Sequence, residues 1–553
     1  MEADGKVVDT LAQIGGPLAA LGVIGLLLGR ERRVRLFGLA LTACGGGLAG
    51  NAFAPNTGPV ALATIAAIVG VIVVALIVVL RRWPALLPFL ALACVPARLP
   101  FKLSDSIYNL FLLLYVVITA ATLVFALELY RGDKRSRELG QLAWPLAGFV
   151  VWSAVSLIWS IDVRRGATEL DAALLPFTFL ALTLARVRWS RRLLQGLLLQ
   201  LVSMALVFAL VGAYQYATRD IFWNPKVINS NAYSPFFRIN SVFWDPSIYG
   251  RFLVLAILAC LALVLTRAGR TGLAVSVPIL GALWIGLVLS FARSNVTGFL
   301  SWVWWPFLVL AALACLALVA ALARRPWLAV ATCAIGALWI GLALSFSQSS
   351  FAALVVGTLA AALVAWRGRA AIPLLAATML LVPVALVTPQ ARAKMLSGPK
   401  TDLNSITSAR STLVEHGIRI AVRHPVIGVG LGGFRRAYAD LTGMSGRDLR
   451  RAASHTTPVT VAAEGGLIGL GLFLWLLASS LLVTFRRAGP TFSGRVQLVC
   501  ALALTAIAVQ SLFYADFFED PMTWGFLAIA VAAPFTLPNE KPELSADALG
   551  TPP

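Results

Sequence analysis

The chain has 553 residues, of which 59% are hydrophobic and only 12% are charged. Soluble proteins carry about 25% charged residues, so this composition excludes an ordinary soluble enzyme, a disordered chain and a disulfide scaffold. Apolar runs of a length that crosses a bilayer as a helix recur from end to end. We therefore predict an all-α polytopic membrane helix bundle of about 17 spans with a long outer loop.

The predicted spans are apolar runs in chain order, and the run at 84–99 is the shortest and contains prolines. Their ranges are 10–29, 36–54, 58–80, 84–99, 107–128, 142–160, 170–186, 194–217, 249–266, 272–291, 295–322, 327–346, 348–366, 371–388, 458–484, 496–515 and 522–537. The pattern divides the chain into six parts. They are an N-terminal membrane bundle (1–217), an outer loop (218–248), membrane spans that include a tandem two-span duplication (249–388), a basic outer loop (389–457), C-terminal spans (458–537) and a cytoplasmic tail (538–553).

Basic residues outnumber acidic ones by 45 to 24, a net charge of +21. A basic cluster follows every odd-numbered span, as in Arg30–Arg35, Arg131–Arg137 and Arg186–Arg192. Such clusters stay on the cytoplasmic side of a membrane, so the N-terminus is predicted outside and the tail inside. We therefore predict that the basic residues set the membrane topology and contact anionic membrane lipids, and that nucleic acid is not a partner.

The cysteines and histidines favour no metal or cofactor. All six cysteines lie inside apolar runs, there is no CxxC pattern, and three histidines form no ligand set. No metal site and no cofactor are therefore predicted.

A tandem duplication lies between the two outer loops. LVLAILACLAL at 253–263 recurs at 308–318 with one change, and GALWIGLVLSF at 281–291 recurs at 336–346, also with one change. Both offsets are 55 residues, so the copies have the same orientation, unlike the inverted repeats of transporters. The turn after the first copy carries Arg293, and the turn after the second carries Gln348.

The outer loop at 389–457 holds 11 Lys and Arg against 4 Asp and Glu. Its segment 408–423 has helical spacing and should end at His424-Pro425, because the residue before a proline disfavours the α conformation. GVGLGGF then predicts a tight glycine turn. His455 comes just before the long span at 458–484, and Glu464 is an acid inside that span, where acids are costly and usually functional or paired.

These segments resemble the O-antigen ligase/polymerase family of bacterial envelope glycosyltransferases. The resemblance rests on SARSTLVEHGIRIAVRHPVIGVGLGGF with a following His and AEGGLIG, and on three upstream segments. Those are WSAVSLIWSIDVRRGATEL, FRINSVFWDPSIYGRFL and the two serine-rich turns LSFARSNVTGF and LSFSQSSFAAL. Asn240-Ser241, Ser247 and Thr456 depart from the residues usual in the family.

The resemblance implies a C-type glycosyltransferase fold and a polyprenyl-diphosphate-linked glycan as donor. It further implies transfer to a glycan or lipid acceptor at the outer face of the bacterial cytoplasmic membrane, without a metal. His455 matches the catalytic histidine, Arg410 a diphosphate contact, and Arg293 or the Gln348 position an upstream arginine.

The chemistry supports these assignments. Arginines oppose the charge that develops on a leaving diphosphate, and a neutral imidazole can accept the proton of an acceptor hydroxyl. The predicted cations are Arg410, Arg293, Arg238 and Arg419, with Glu464 and Gln348 in supporting roles. The alternative is a transporter or flippase for an anionic lipid-linked polysaccharide, which should place charges through its span centres.

Overall fold

The structure is a computed structural model that describes residues 2–51, 59–103, 106–233, 237–267, 326–366, 410–444, 456–514 and 517–537. Three predicted spans, 272–291, 295–322 and 371–388, lie outside these residues. Arg293 and His455 also lie outside them.

Helices dominate the described residues. They are α1 Glu2–Leu28, α2 Arg32–Gly50, α3 Pro59–Arg82, α4 Leu86–Cys94, α5 Leu112–Tyr130, α6 Ala143–Val155, α7 Val163–Glu169, α8 Leu175–Ala185, α9 Arg191–Thr218, α10 Pro225–Tyr233, α11 Pro246–Arg267, α12 Pro326–Ser345, α13 Gln348–Trp366, α14 Arg410–Arg423, α15 Phe434–Thr442, α16 Thr457–Arg487, α17 Phe492–Ser511 and α18 Pro521–Thr536. A π-helical turn, Leu170–Leu174, joins α7 to α8.

One region departs from the all-α prediction. Strands β1 (Leu99–Leu103) and β2 (Ser106–Leu110) pair antiparallel, with Leu99 opposite Leu110. The predicted span at 84–99 was wrong as a single span, because α4 has only nine residues. Pro96 and Pro100 follow α4, and proline lacks the amide hydrogen that a continuing helix needs.

Ten helices in the described part of the chain are long and apolar enough to cross a membrane. Two shorter apolar helices, Gln348–Val364 and Pro521–Thr536, accompany them. The prediction of a polytopic membrane protein is confirmed, whereas the count of 17 spans and the C-type fold stay predictions.

The chain forms two compact units, each assembled from separate stretches of sequence. Unit 1 comprises residues 1–190, 409–483 and 511–536, and unit 2 comprises 191–408, 484–510 and 537–553. The outer-loop helix α14 therefore belongs to the same unit as the N-terminal helices, although more than 200 residues lie between them.

An ionic cluster ties together one end of unit 1. The Arg35 guanidinium lies 2.9 Å from Glu138, and that of Arg186 lies 2.8 Å from Glu128 and 2.5 Å from Asp133. The two arginine side chains are only 1% and 5% exposed. The loops after the first, fifth and seventh predicted spans thus meet at one end of the unit, as the alternation of basic clusters predicts. We call this the Arg35 end.

The charges of this cluster shift the pKa of one member, Asp133. Burial alone would raise the pKa of Asp133, but hydrogen bonds from Arg135 and the charge of Arg186 hold it well below its usual range. The cluster therefore keeps Asp133 ionised, and paired, at neutral pH.

The other end of unit 1 brings the start of α1 to the start of α7. Arg164 Nε lies 3.0 Å from Asp9 Oδ1. Helix α1 runs from here to the Arg35 end, so the two clusters mark opposite ends of the same helices. We call this second end the Asp9 end. The turn between α6 and α7 lies here and carries the candidate site.

Candidate functional site

Helix α14 is amphipathic and ends at Arg423, directly before His424-Pro425, as predicted. Ile420 points into the protein, whereas Arg419 is exposed. Arg419 forms an ion pair with Glu415 one turn earlier at 2.5 Å, and both side chains are 58% exposed. Such an exposed pair is worth well under about 1 kcal/mol, so Arg419 can exchange this partner for an anion at little cost.

One histidine lies within this helix and another directly follows it, in different surroundings. His416 Nδ1 lies 3.3 Å from the hydroxyl of Tyr438 on α15, and the two rings are 5.4 Å apart. Burial raises the pKa of Tyr438, which keeps the phenol neutral. His424, by contrast, is exposed. His416 therefore joins α14 to α15, and His424 serves as a natural control for His455.

The predicted glycine turn is present and is packed without free space. Gly428, Gly430 and Gly432 all have positive φ, at 69°, 84° and 76°. A Cβ on Gly430 would lie 2.3 Å from Ser160 Cα, and one on Gly432 would lie 2.3 Å from the Gly166 nitrogen. Only glycine satisfies both the backbone conformation and this close approach.

Two serines anchor the turn to the segment between α6 and α7. Ser156 Oγ accepts a hydrogen bond from Leu431 N at 3.0 Å, and Ser160 Oγ donates to Leu431 O at 2.7 Å. The backbone nitrogen of Ile161 donates to Val429 O at 3.2 Å. Both polar groups of Leu431 are thereby paired across 270 residues of sequence.

Helix α16 bends beside the glycine turn. Gly466 has φ 64° and ψ −163°, which breaks the helical hydrogen-bond pattern. The carbonyls freed by the break find new donors: Gly430 N at 2.9 Å for Glu464 O, and Trp152 Nε1 at 2.9 Å for Gly465 O. Irregular backbone at membrane depth requires such replacement partners, and the turn supplies them.

The side chain of Glu464 holds the start of α15. Glu464 is only 7% exposed, and its Oε1 accepts a hydrogen bond from Phe434 N at 3.2 Å. Phe434 is the first residue of α15, and a carboxylate at a helix N-terminus is favourable because the unpaired amides point toward it. Glu464 therefore joins α16 to α15.

An apolar core completes the assembly. Ile420, Val429, Phe434, Tyr438 and Ala463 are buried against one another and come from α14, the turn, α15 and α16. We call the assembly of residues 410–444 and 456–466 on residues 152–166 the platform. The segment between its two parts, 445–455, contains His455 and lies outside the described residues.

A cavity of about 90 Å³ opens beneath the platform in unit 1. Its polar lining comes from serine, threonine and glutamate side chains, and its floor is aromatic. The lining residues are Phe149, Ser153, Glu169, Ala173, Leu174, Leu431, Thr457, Thr460, Val461, Glu464, Phe517, Phe518 and Glu519.

In unit 2 the second serine-rich turn lies in a buried polar network. Ser347 and Ser350 share a hydrogen bond at 2.8 Å, and Gln510 Nε2 donates to Ser247 O at 2.8 Å. Arg251 Nε donates to Gln510 Oε1 at 2.9 Å, and both side chains are buried. The segment 237–253 and this turn, which both resemble the family, thus lie side by side.

Arg238 lies next to the same turn. Its Nε is 3.4 Å from Ser345 O, and its backbone nitrogen and carbonyl are both bonded to the Asn231 side chain. Gln348 is exposed at the first residue of α13. Unit 2 therefore brings two of the predicted contacts, Arg238 and the Gln348 turn, together.

Unit 1 contains two further predicted residues, Arg419 and Glu464, in the platform. Arg410 begins α14. Among the described residues, no group of three or more His, Cys, Asp or Glu is arranged to hold a metal ion.

Comparison with known families bears on the outer-loop and α16 parts of the platform. Residues 331–474 match the family model described as O-antigen ligase. The chain carries an O-antigen ligase domain. This range begins in α12 and ends in α16, so it contains the Gln348 turn, α14, the glycine turn, His455 and Glu464, and the predicted family is confirmed. No curated protein matches the sequence.

Several residues that hold this O-antigen ligase domain were not predicted from the sequence. Ser156 and Ser160 lie in the quoted segment WSAVSLIWS, where serine recurs every three or four residues, and this spacing was the available signal. Arg251 lies in another quoted segment, as a charge inside an apolar run. Gln510 had no signal, because one amide in an apolar helix looks like a packing residue.

Proposed function

We propose that this chain is a membrane glycosyltransferase that transfers or polymerises a polyprenyl-diphosphate-linked glycan. The observation that carries the proposal is the coincidence of the O-antigen ligase match, 331–474, with the platform. The matched range includes residues 426–434, whose backbone is held by buried hydrogen bonds and left-handed glycines. An enzyme gains from such rigidity because a fixed backbone holds catalytic groups in register with the substrate.

The reaction is proposed at the outer face of the bacterial cytoplasmic membrane. The basic loops meet at the Arg35 end of unit 1, and basic loops stay cytoplasmic. The platform rests on the turn at the Asp9 end, which is the opposite end of the same helices. The donor diphosphate would therefore lie at the outer headgroup level.

His455 is proposed to accept the proton of the acceptor hydroxyl. The hydroxyl oxygen then bonds to the anomeric carbon of the donor, and the polyprenyl diphosphate leaves with the electron pair of the broken bond. Arginines stabilise the charge on the leaving group, because each guanidinium can pair bidentately with phosphate oxygens. The assigned cations are Arg410, Arg293, Arg238 and Arg419.

The duplication leaves two positions for the upstream contact. The matched range contains Gln348 and excludes Arg293, which favours the second copy as the position typical of the family. Charge favours the first copy, since an amide cannot oppose a developing phosphate charge as a guanidinium does. The proposal assigns Arg293 to the anionic site and Gln348 to a neutral supporting contact.

The test uses purified full-length protein in lipid nanodiscs with a polyprenyl-diphosphate oligosaccharide. We expect longer lipid-linked chains from a polymerase and transfer to a second carrier from a ligase. His455→Ala should lower the rate by at least about 10²-fold, the usual contribution of a general base. His424→Ala is the matched control, since this exposed histidine lies in the same loop and should leave the rate unchanged.

Addition of EDTA should also leave the wild-type rate unchanged, because the arginines supply the positive charge. Movement of the lipid-linked glycan across the bilayer without formation of a new glycosidic bond would contradict the proposal and favour the flippase. Equal rates for His455→Ala and His424→Ala would remove His455 from the mechanism.

A further inference from the structure

The cavity beneath the platform has no role in the mechanism above. It is bounded by the end of α6, the π-helical turn, the start of α16 and the 517–519 turn. Its volume of about 90 Å³ is enough for a few waters or for the hydroxyl-bearing end of a sugar.

One buried hydroxyl in the cavity wall is unsatisfied. Thr457 is 5% exposed, and its Oγ1 has no hydrogen-bond partner among the described residues. Thr460, one turn later in the same wall, donates its hydroxyl to Thr456 O at 3.2 Å. A buried hydroxyl without a partner costs free energy, so Thr457 is poised for a partner that enters the cavity.

The remaining polar groups define the chemistry of that partner. Glu169 and Glu464 line the cavity, as does Glu519, which is exposed. Carboxyl and hydroxyl oxygens accept hydrogen bonds from hydroxyl groups, so these side chains suit a ligand that carries several hydroxyls. None of the residues that line the cavity is Lys or Arg, so an anionic diphosphate has no cationic partner in it.

The cavity floor is apolar and aromatic. Phe149 and Phe518 stack at 4.0 Å between ring centroids, and Phe517 packs edge-on against Phe518 at 5.0 Å. A mostly apolar pocket with a few convergent hydrogen-bonding groups is the general form of a small-molecule site. A sugar, with C–H faces and hydroxyl edges, meets both requirements.

The cavity wall is also close in sequence to the predicted base. Thr457 follows His455 by two residues, and two residues of extended chain span at most about 7 Å. A sugar hydroxyl held at Thr457 would therefore lie near the residue that is proposed to deprotonate it.

We propose that this cavity is the acceptor subsite, which binds the hydroxyl-bearing end of the acceptor sugar through Thr457 and the glutamates. The inference rests on the proposed function, because it assigns the acceptor of that reaction. The donor diphosphate, by contrast, is bound by the arginines.

The kinetic test compares Thr457→Val, which removes the hydroxyl at nearly constant shape, with Thr457→Ser, which keeps it. Thr457→Val should raise the KM for acceptor about five- to tenfold, the loss of one hydrogen bond, and leave the KM for donor unchanged. Thr457→Ser should stay within about twofold of wild type. Thr178→Val is the control, since Thr178 is buried in α8 and its hydroxyl donates to Leu174 O in the preceding π-helical turn.

A thermal test separates failure of the subsite from failure of the proposed function. Without ligand, Thr457→Val should unfold at the same temperature as wild type or higher, because valine removes an unpaired buried hydroxyl. Free oligosaccharide from the host's envelope polysaccharide should stabilise the wild type and not Thr457→Val. This readout needs no turnover, so it holds even where no glycosidic bond forms.

Three results would overturn the subsite. One is an unchanged acceptor KM in Thr457→Val. The second is equal behaviour of the Ser and Val variants, which would indicate shape and not hydrogen bonding. The third is an equal rise in the donor KM, which would assign the cavity to the donor.

Discussion

Two glycines near the platform separate two contributions to the free energy of unfolding: close packing around the glycine and its left-handed backbone conformation. Gly430 and Gly443 both have positive φ, at 84° and 69°. A Cβ on Gly430 would lie 2.3 Å from Ser160 Cα, whereas a Cβ on Gly443 would meet no atom within 4 Å. Alanine at Gly443 is therefore destabilised only by the left-handed backbone conformation. Alanine at Gly430 is destabilised by the same conformation and also displaces the glycine turn from Ser160.

The expected magnitudes follow from these contacts. Gly443→Ala should destabilise the fold by about 1–2 kcal/mol, the cost of the left-handed conformation for a residue with a Cβ. Gly430→Ala adds the loss of the two hydrogen bonds from Leu431 to Ser156 and Ser160, at about 1 kcal/mol each, for a total of about 3–4 kcal/mol.

Thermal unfolding of the detergent-solubilised protein, with glycan transfer measured in parallel, is the assay. We expect Gly430→Ala to lower the unfolding midpoint more than Gly443→Ala and to abolish transfer, while Gly443→Ala stays active. Equal midpoints and equal activities for the two variants would refute the view that the turn is held by close contact with residues 160–166.

Two further predictions concern charged groups. The depressed pKa of Asp133 contributes stability that is present above the usual aspartate pKa of about 4 and is lost as the pH falls below it toward the lower folded pKa. Asp133→Asn should therefore lower the unfolding midpoint at pH 7 and flatten its decline between about pH 5 and pH 2; an unchanged decline would contradict the role of Asp133. Arg410→Lys keeps the charge but loses the bidentate fork, so the transfer rate should drop sharply; a donor affinity equal to wild type in both Arg410→Lys and Arg410→Ala would exclude the diphosphate contact.

The sequence predicted the features that depend on local chemistry. Helix α14 ends at Arg423 because Pro425 follows, and GVGLGG forms a turn because glycine tolerates positive φ. Most membrane helices follow from apolar length alone. The prediction of a span at 84–99 rested on apolar composition and was wrong because Pro96 lies within the run, and a helix cannot readily continue through a proline.

Pairings between distant segments could not be predicted in the same way. The bonds of Leu431 to Ser156 and Ser160 join residues more than 270 positions apart, and a single sequence carries no distance information of that kind. The Arg251–Gln510 bond is similar, since two isolated polar residues in apolar helices give no sign that they face each other.

The bend in α16 has a consequence for biosynthesis. The carbonyl of Gly465 accepts a hydrogen bond from Trp152, and the amide of Leu431 donates one to Ser156. Ser156 is synthesised 275 residues before Leu431. At translation rates of about 5–20 residues per second, the serines wait roughly 15–55 s before their partners are made. During that interval the early helices are already in the bilayer, but the platform has no second half. A nascent chain that ends before residue 466 therefore lacks the second half of the platform, and the early serines keep no partner in the glycine turn until that turn is made.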